Sequence, residues 1–145
     1  MIALLALLQG IAPPMPQIVL QSPEMAFACT RADKLSDPIW FALPNGLNRS
    51  EVLVSDPGRI FGRYTFRNYN WKIGTDGRLS VAFTSSNGDP KQPLFMVQQE
   101  DSGTNSYRGM SHPFARPDKV TRYSCHQETG EAAANTIKLI RAESQ

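Results

Sequence analysis

The 145-residue chain is short of the residues that carry most catalytic chemistry. It has two cysteines and two histidines, and no HExxH, CxxC or GxSxG pattern joins any of them. His112 lies in a Pro-containing stretch. His126 follows Cys125 directly, so on a strand the two side chains point to opposite faces and form no local nucleophile–base dyad. A metal site at His126 and Glu128 lacks two further ligands at any recognisable spacing. The sequence therefore implies no cofactor and no metal. Charged residues make up 19% of the chain and the formal net charge is +2, which excludes a strongly basic or acidic polyelectrolyte. Repeats, heptads, low-complexity blocks and long amphipathic helical patterns are missing as well, so solenoids, coiled coils and helical bundles are excluded. No apolar run is long enough to cross a bilayer as a helix.

What is present is a beginning unlike the rest. Residues 1–12 carry no charge and are mostly Leu, Ile and Ala, the length and character of a signal-peptide apolar region. Gly10-Ile11-Ala12 supplies small residues before a cut, although no Lys or Arg precedes the segment and Pro13 would follow the cut. A later small-x-small site, Ala26-Phe27-Ala28, would instead expose Cys29 as an N-terminal residue. Residues 13–23 are Pro-rich and read as an extended lead-in. Residues 24–142 read as a single β-domain with a tail at 143–145. The two cysteines, Cys29 and Cys125, stand near the two ends of this domain and allow one intrachain bridge, the use expected in an oxidising compartment. The alternative is a pair of buried thiols.

The densest run of aromatic and β-branched residues spans Arg59 to Thr84. Tyr69, Trp71 and Ile73 alternate with Asn70 and Lys72; Leu79, Val81 and Phe83 alternate with Arg78, Ser80 and Ala82. A period of two marks half-buried strands. A loop of Thr75-Asp76-Gly77, with Gly77 left-handed, would pair Ile73 with Leu79, Trp71 with Val81 and Tyr69 with Phe83. Any loop one residue shorter or longer would set apolar against polar. Upstream, Ile60, Gly62, Tyr64 and Phe66 share the opposite parity, so a bulge or tight turn is expected at Arg67-Asn68.

Elsewhere, strands are expected at Met25–Thr30, Ile39–Leu43, Glu51–Ser55, Leu94–Gln98, Ser106–Met110 and Val120–His126, with Asn45-Gly46 and Asp56-Pro57-Gly58 as turns. The end is ambiguous. Glu131 to Ala134 favours helix, while Ile137-Lys138-Leu139 alternates, and residues 136–141 are assigned to a final strand. The fold class is all-β: an antiparallel meander of about eight strands closing as a small barrel or a two-sheet sandwich.

Candidate binding residues follow from that pattern. Arg59, Arg63, Arg67 and Lys72 fall on the face opposite the aromatics, and cations interleaved with aromatics can hold anionic ligands. The plainer alternative is an aromatic core face backed by a solvated one. Tyr107 and Arg108, between Gly103 and Gly109, mark a polar hairpin tip of the kind that often binds. No Lys/Arg-Gly-aromatic motif of the RNA-binding sheet is present, and nucleic acid is disfavoured. The expectation is an exported small β-domain, periplasmic or extracellular, with no transmembrane span in its mature form. It would act as a non-enzymatic binding protein of the cell envelope with an anionic or envelope ligand. The alternatives are a small hydrolase using loop carboxylates among Glu100, Asp101, Asp118 and Glu128, and a structural or assembly component.

Overall fold

A computed structural model describes residues 24–33, 37–48, 51–57, 66–85, 95–111 and 119–143. The apolar residues 1–12, the lead-in 13–23, Arg59, Arg63, Tyr64, His112 and Asp118 lie outside the described residues, as does the side chain of Arg67.

Eight strands form one antiparallel sheet: β1 (Met25–Arg31), β2 (Ile39–Leu43), β3 (Leu53–Ser55), β4 (Phe66–Ile73), β5 (Leu79–Ser85), β6 (Phe95–Gln99), β7 (Ser106–Ser111) and β8 (Thr121–Thr129). The spatial order is β3-β2-β1-β8-β7-β6-β5-β4. Every strand thus lies beside its neighbour in the chain except β3 and β4, and the first strand closes on the last. A meander wrapped in this way is a curled half-barrel with its seam between β3 and β4, and the single sheet decides against a two-sheet sandwich.

The central hairpin has the expected register, with Tyr69 opposite Phe83, Trp71 opposite Val81 and Ile73 opposite Leu79. Gly77 takes a φ of 83° and its N–H donates to the Gly74 carbonyl at 2.9 Å, closing the three-residue loop. The register shifts between Phe66 and Asn68, which lets both Phe66 and Tyr69 face inward. Strand ends differ from the sequence reading by small amounts. The first strand extends to Arg31, the third is limited to Leu53–Ser55, and the eighth continues to Thr129.

Inward side chains fill the half-barrel. Phe41 sits at the centre, stacked on Phe83 at 4.5 Å and Phe95 at 4.6 Å and edge-on to Phe66 at 5.2 Å. Phe27 meets Tyr107, and Phe95 meets Tyr123, each at 5.0 Å. Fully burying each such ring contributes about 1.5–3 kcal/mol. The seam is drawn together by side chains of β4. The Tyr69 hydroxyl donates to the Gly46 carbonyl and the Trp71 indole N–H to the Leu47 carbonyl, each at 2.8 Å. Both acceptors lie in the Asn45-Gly46 turn that follows β2.

Cys29 and Cys125 stand directly opposite each other on β1 and β8 and are disulfide-bonded, with Cα atoms 4.1 Å apart. This places Ala26-Phe27-Ala28 inside a buried strand, so a cut before Cys29 would remove most of β1 from the sheet.

The final strand expected at residues 136–141 is corrected by the structure: Gly130–Glu143 is a helix, α1. Gly130, at a φ of 61°, ends β8 and turns the chain. Ala133, Ile137 and Ile140 recur at helical spacing and are buried, whereas Leu139 of the apparent alternation is 67% exposed. These three pack on Ala26 and Ala42 of β1 and β2, beside Trp40 and Leu53, to form a second core outside the sheet. Small residues on the outer face let the helix approach closely. Glu131 in its first turn and Arg141 in its last suit the helix dipole. No helix among the described residues is long and apolar enough to cross a membrane.

Candidate functional site

Alternation turns the outer face of β4–β8 into rows that can be read across the strands. One row runs Lys72, Ser80, Gln98, Arg108, Ser124. The next runs Asn70, Ala82, Met96, Met110, Arg122. Neither row contains a carboxylate. Lys72, Arg108 and Arg122 are exposed, and none of them has an ion pair or side-chain hydrogen bond among the described residues. Arg108 lies opposite Ser124, so Arg122 is its diagonal neighbour at about 7–8 Å between strand positions. Two guanidinium groups on long stems at that spacing can close on a single anionic group. Lys72 stands three strands from Arg108, about 14 Å along the row. Met96 and Met110 are directly paired between them, giving the patch a small apolar centre.

The sequence-predicted residues separate here. Lys72 and Arg108 share this face. Tyr107 does not, because its alternation carries it inward, where it is 1% exposed and packs on Phe27. Its hydroxyl donates to Gln127 Oε1 at 3.3 Å, and burial holds its ionisation well above the ordinary tyrosine value. Arg122 was missed. Its signal was available in β8, where Thr121, Tyr123 and Cys125 claim the inner face and leave Arg122 outside.

The carboxylates of the hydrolase alternative occupy different settings. Glu100 and Asp101 are exposed in the β6–β7 turn, while Glu128 Oε1 accepts from the Thr136 hydroxyl of α1 at 2.9 Å. Asp76, at the tip of the central hairpin, is held below the usual carboxylate value chiefly by the Arg78 backbone N–H at 3.1 Å and then by the Arg78 guanidinium at 2.6 Å. That is turn chemistry rather than a reactive pair. Among the described residues, no three His, Cys, Asp or Glu side chains are grouped to hold a metal ion. His126 is exposed on the outer face, edge-on to Trp40 at a centroid distance of 6.0 Å.

Also on the outer face, but at the β2–β3 end of the sheet, the last turn of α1 and strands β2 and β3 border an open groove of about 570 Å³. Compared with known proteins, the chain matches no family model, no characterised protein and no solved structure.

Proposed function

We propose that this protein is an exported, non-enzymatic β-domain that binds an anionic envelope polymer on the outer face of β4–β8. The observation that carries this reading is the pair of carboxylate-free rows displaying Lys72, Arg108 and Arg122 beside hydrogen-bonding Asn70, Gln98 and Ser124. The filled interior supports it, since aromatic side chains occupy the space where many barrels hold a ligand. Export is supported by the apolar residues 1–12 and by the Cys29–Cys125 bridge, which suits an oxidising compartment. Cations spread over an exposed polar face favour a long ligand engaged at several points, with affinity that falls as salt rises.

The test uses a sulfated polysaccharide, with neutral dextran as its control. Binding by the full chain is expected at low salt, weakening steeply with ionic strength. Lys72→Glu, Arg108→Glu and Arg122→Glu together should lower affinity by about tenfold or more while leaving the thermal midpoint close to unchanged. Equal retention of dextran, or full binding by the triple variant, refutes the reading. Intact mass of protein recovered from the periplasm or medium, with and without reductant, tests export separately. An uncut chain with two free thiols would refute it.

A further inference from the structure

At every described position but two, the outer face of β4–β8 is polar or small. The exceptions are Met96 of β6 and Met110 of β7, which stand directly opposite each other and are partly exposed. Directly opposed positions hold their Cβ atoms about 4.5–5.5 Å apart, within easy reach for two flexible thioether stems. Ala82, opposite Met96 on β5, is too short to cover it. On the other side Arg122 of β8 lies opposite Met110. Arg108 shares the face of Met110 two residues away on β7, about 7 Å along the strand. The other sulfur of the described chain is withheld from solvent. Cys29 and Cys125 are joined to each other, and the chain has no further cysteine. Met25 is 3% exposed, and its Sδ accepts from the Gln127 side-chain amide at 3.7 Å. Met1 and Met15 lie outside the described residues.

A thioether gives up two electrons to a peroxide and becomes a sulfoxide, which reductases return to methionine. The new oxygen is a hydrogen-bond acceptor where an apolar atom stood. In a core this disrupts packing, but here it arises beside two guanidinium groups that have no ion pair or side-chain hydrogen bond among the described residues. We propose that Met96 and Met110 form a reversible oxidation site, with hydroperoxides as the oxidant and the guanidinium groups of Arg122 and Arg108 as partners of the sulfoxide oxygens. In the step, sulfur attacks one peroxide oxygen: an S–O bond forms and the O–O bond breaks. Sulfur is oxidised by two electrons and the peroxide is reduced by two. The departing hydroxide takes the proton of the transferred oxygen and leaves as water. The guanidinium groups then donate to the sulfoxide oxygens, as they do to other polar acceptors. The consequence for binding rests on the anionic-ligand reading of this face. Sulfoxides that hold Arg108 and Arg122 draw two of its three cations away from an incoming polyanion.

The experiment treats the full disulfide-bonded chain with dilute hydrogen peroxide and assigns each added oxygen by fragment mass. Met96 and Met110 are expected to take up oxygen well before Met25, with the far-ultraviolet dichroism unchanged. In a ¹⁵N spectrum the Nε–H signals of Arg108 and Arg122 should move on oxidation, while that of Arg78, bonded to Asp76 at 2.6 Å, stays in place. Methionine sulfoxide reductases should restore both the mass and the signals. Oxidised protein should bind the sulfated polysaccharide about threefold or more weaker than the untreated chain. The same treatment should leave the affinity of Met96→Leu with Met110→Leu at its own untreated value. Oxidation of Met25 as fast as the pair, unmoved arginine signals, or sulfoxides that the reductases cannot remove overturns the proposal. So does unfolding on oxidation, or an equal loss of affinity in the double variant. Unchanged binding by an oxidised chain that binds when untreated overturns it as well. Absence of binding by the untreated chain refutes the anionic-ligand reading instead, and the oxygen map and arginine signals then decide the oxidation site alone.

Discussion

Gly103 and Gly109 flank one hairpin, yet the chain uses them for different reasons. Gly103 has a φ of 78° and nothing within 4 Å of where a side chain would begin, so the turn geometry requires it. Gly109 lies in β7, where a Cβ would stand 2.8 Å from Cys125 Sγ, 2.9 Å from Phe95 Cζ and 3.0 Å from the Tyr123 Cβ. It makes room for the disulfide and two rings. Gly109→Ala is expected to destabilise the fold by about 1–3 kcal/mol through overpacking, read as a lower urea midpoint, with Gly109→Val costing more. The buried tyrosines set an alkaline limit. Burial raises the ionisation of Tyr107 and Tyr123, in the latter against an opposing hydrogen bond from Ser111. A raised folded-state value means that this contribution is complete below the ordinary tyrosine value of about 10 and is lost as pH rises beyond it. Tyrosinate absorbance near 295 nm should therefore lag behind that of free tyrosine and rise together with loss of far-ultraviolet dichroism. Early ionisation of every tyrosine in a folded chain would contradict this.

The β4–β5 hairpin was readable in the sequence to the residue, because only one loop length keeps Tyr69, Trp71 and Ile73 opposite apolar partners. The bulge at Arg67-Asn68 was readable for a related reason: Phe66 and Tyr69 cannot both face inward without it. The terminal helix was not. Ile137-Lys138-Leu139 is too short to separate a period of two from one of 3.6, and the deciding partners lie far away in sequence. Ala26 and Ala42 read as the unremarkable outer positions of two strands, yet both are 0% exposed because α1 covers them. Only with the strands in register do two alanines become a seat for a helix. Ile137→Ala should cost about 2–5 kcal/mol and chiefly loosen α1, seen as faster amide exchange in the helix than in β5. Equal acceleration in both would show that the helix and sheet open as one unit.

At the scale of the molecule, the described charges of the outer face are sorted by position along the sheet. Lys72, Arg108 and Arg122 lie over β4–β8, and Asp37, Asp56 and Glu143 lie around the groove beside β2, β3 and α1. Alternation alone points Lys72 and Arg108 outward, so part of the cationic face is legible without coordinates. The acidic groove is not, since its carboxylates come from the approach to β2, the exit of β3 and the end of α1. The disulfide joins the first strand to the last across 96 residues, so Cys29→Ala with Cys125→Ala should lower stability by about 2–4 kcal/mol. The sheet itself should persist, because seven cross-strand pairs remain between β1 and β8. Urea unfolding of the double variant, with far-ultraviolet dichroism retained, is the measurement; loss of the sheet without denaturant would contradict it.

That closure also fixes an order in time. A polypeptide is made from its N-terminus, and β8 leaves the ribosome 96 residues after β1 at the cysteine positions. At usual elongation rates this is a wait of about 5–20 s. Until then Phe27 and Cys29 have β2 as their strand neighbour and no β8, and the long loop between the cysteines must still be closed against its entropy. Joining the ends and oxidising the thiols thus belong to the same late step. A chain halted before residue 125 has a hairpin and a meander joined by side chains across the seam alone, without the strand pairing and the bridge that close the other side.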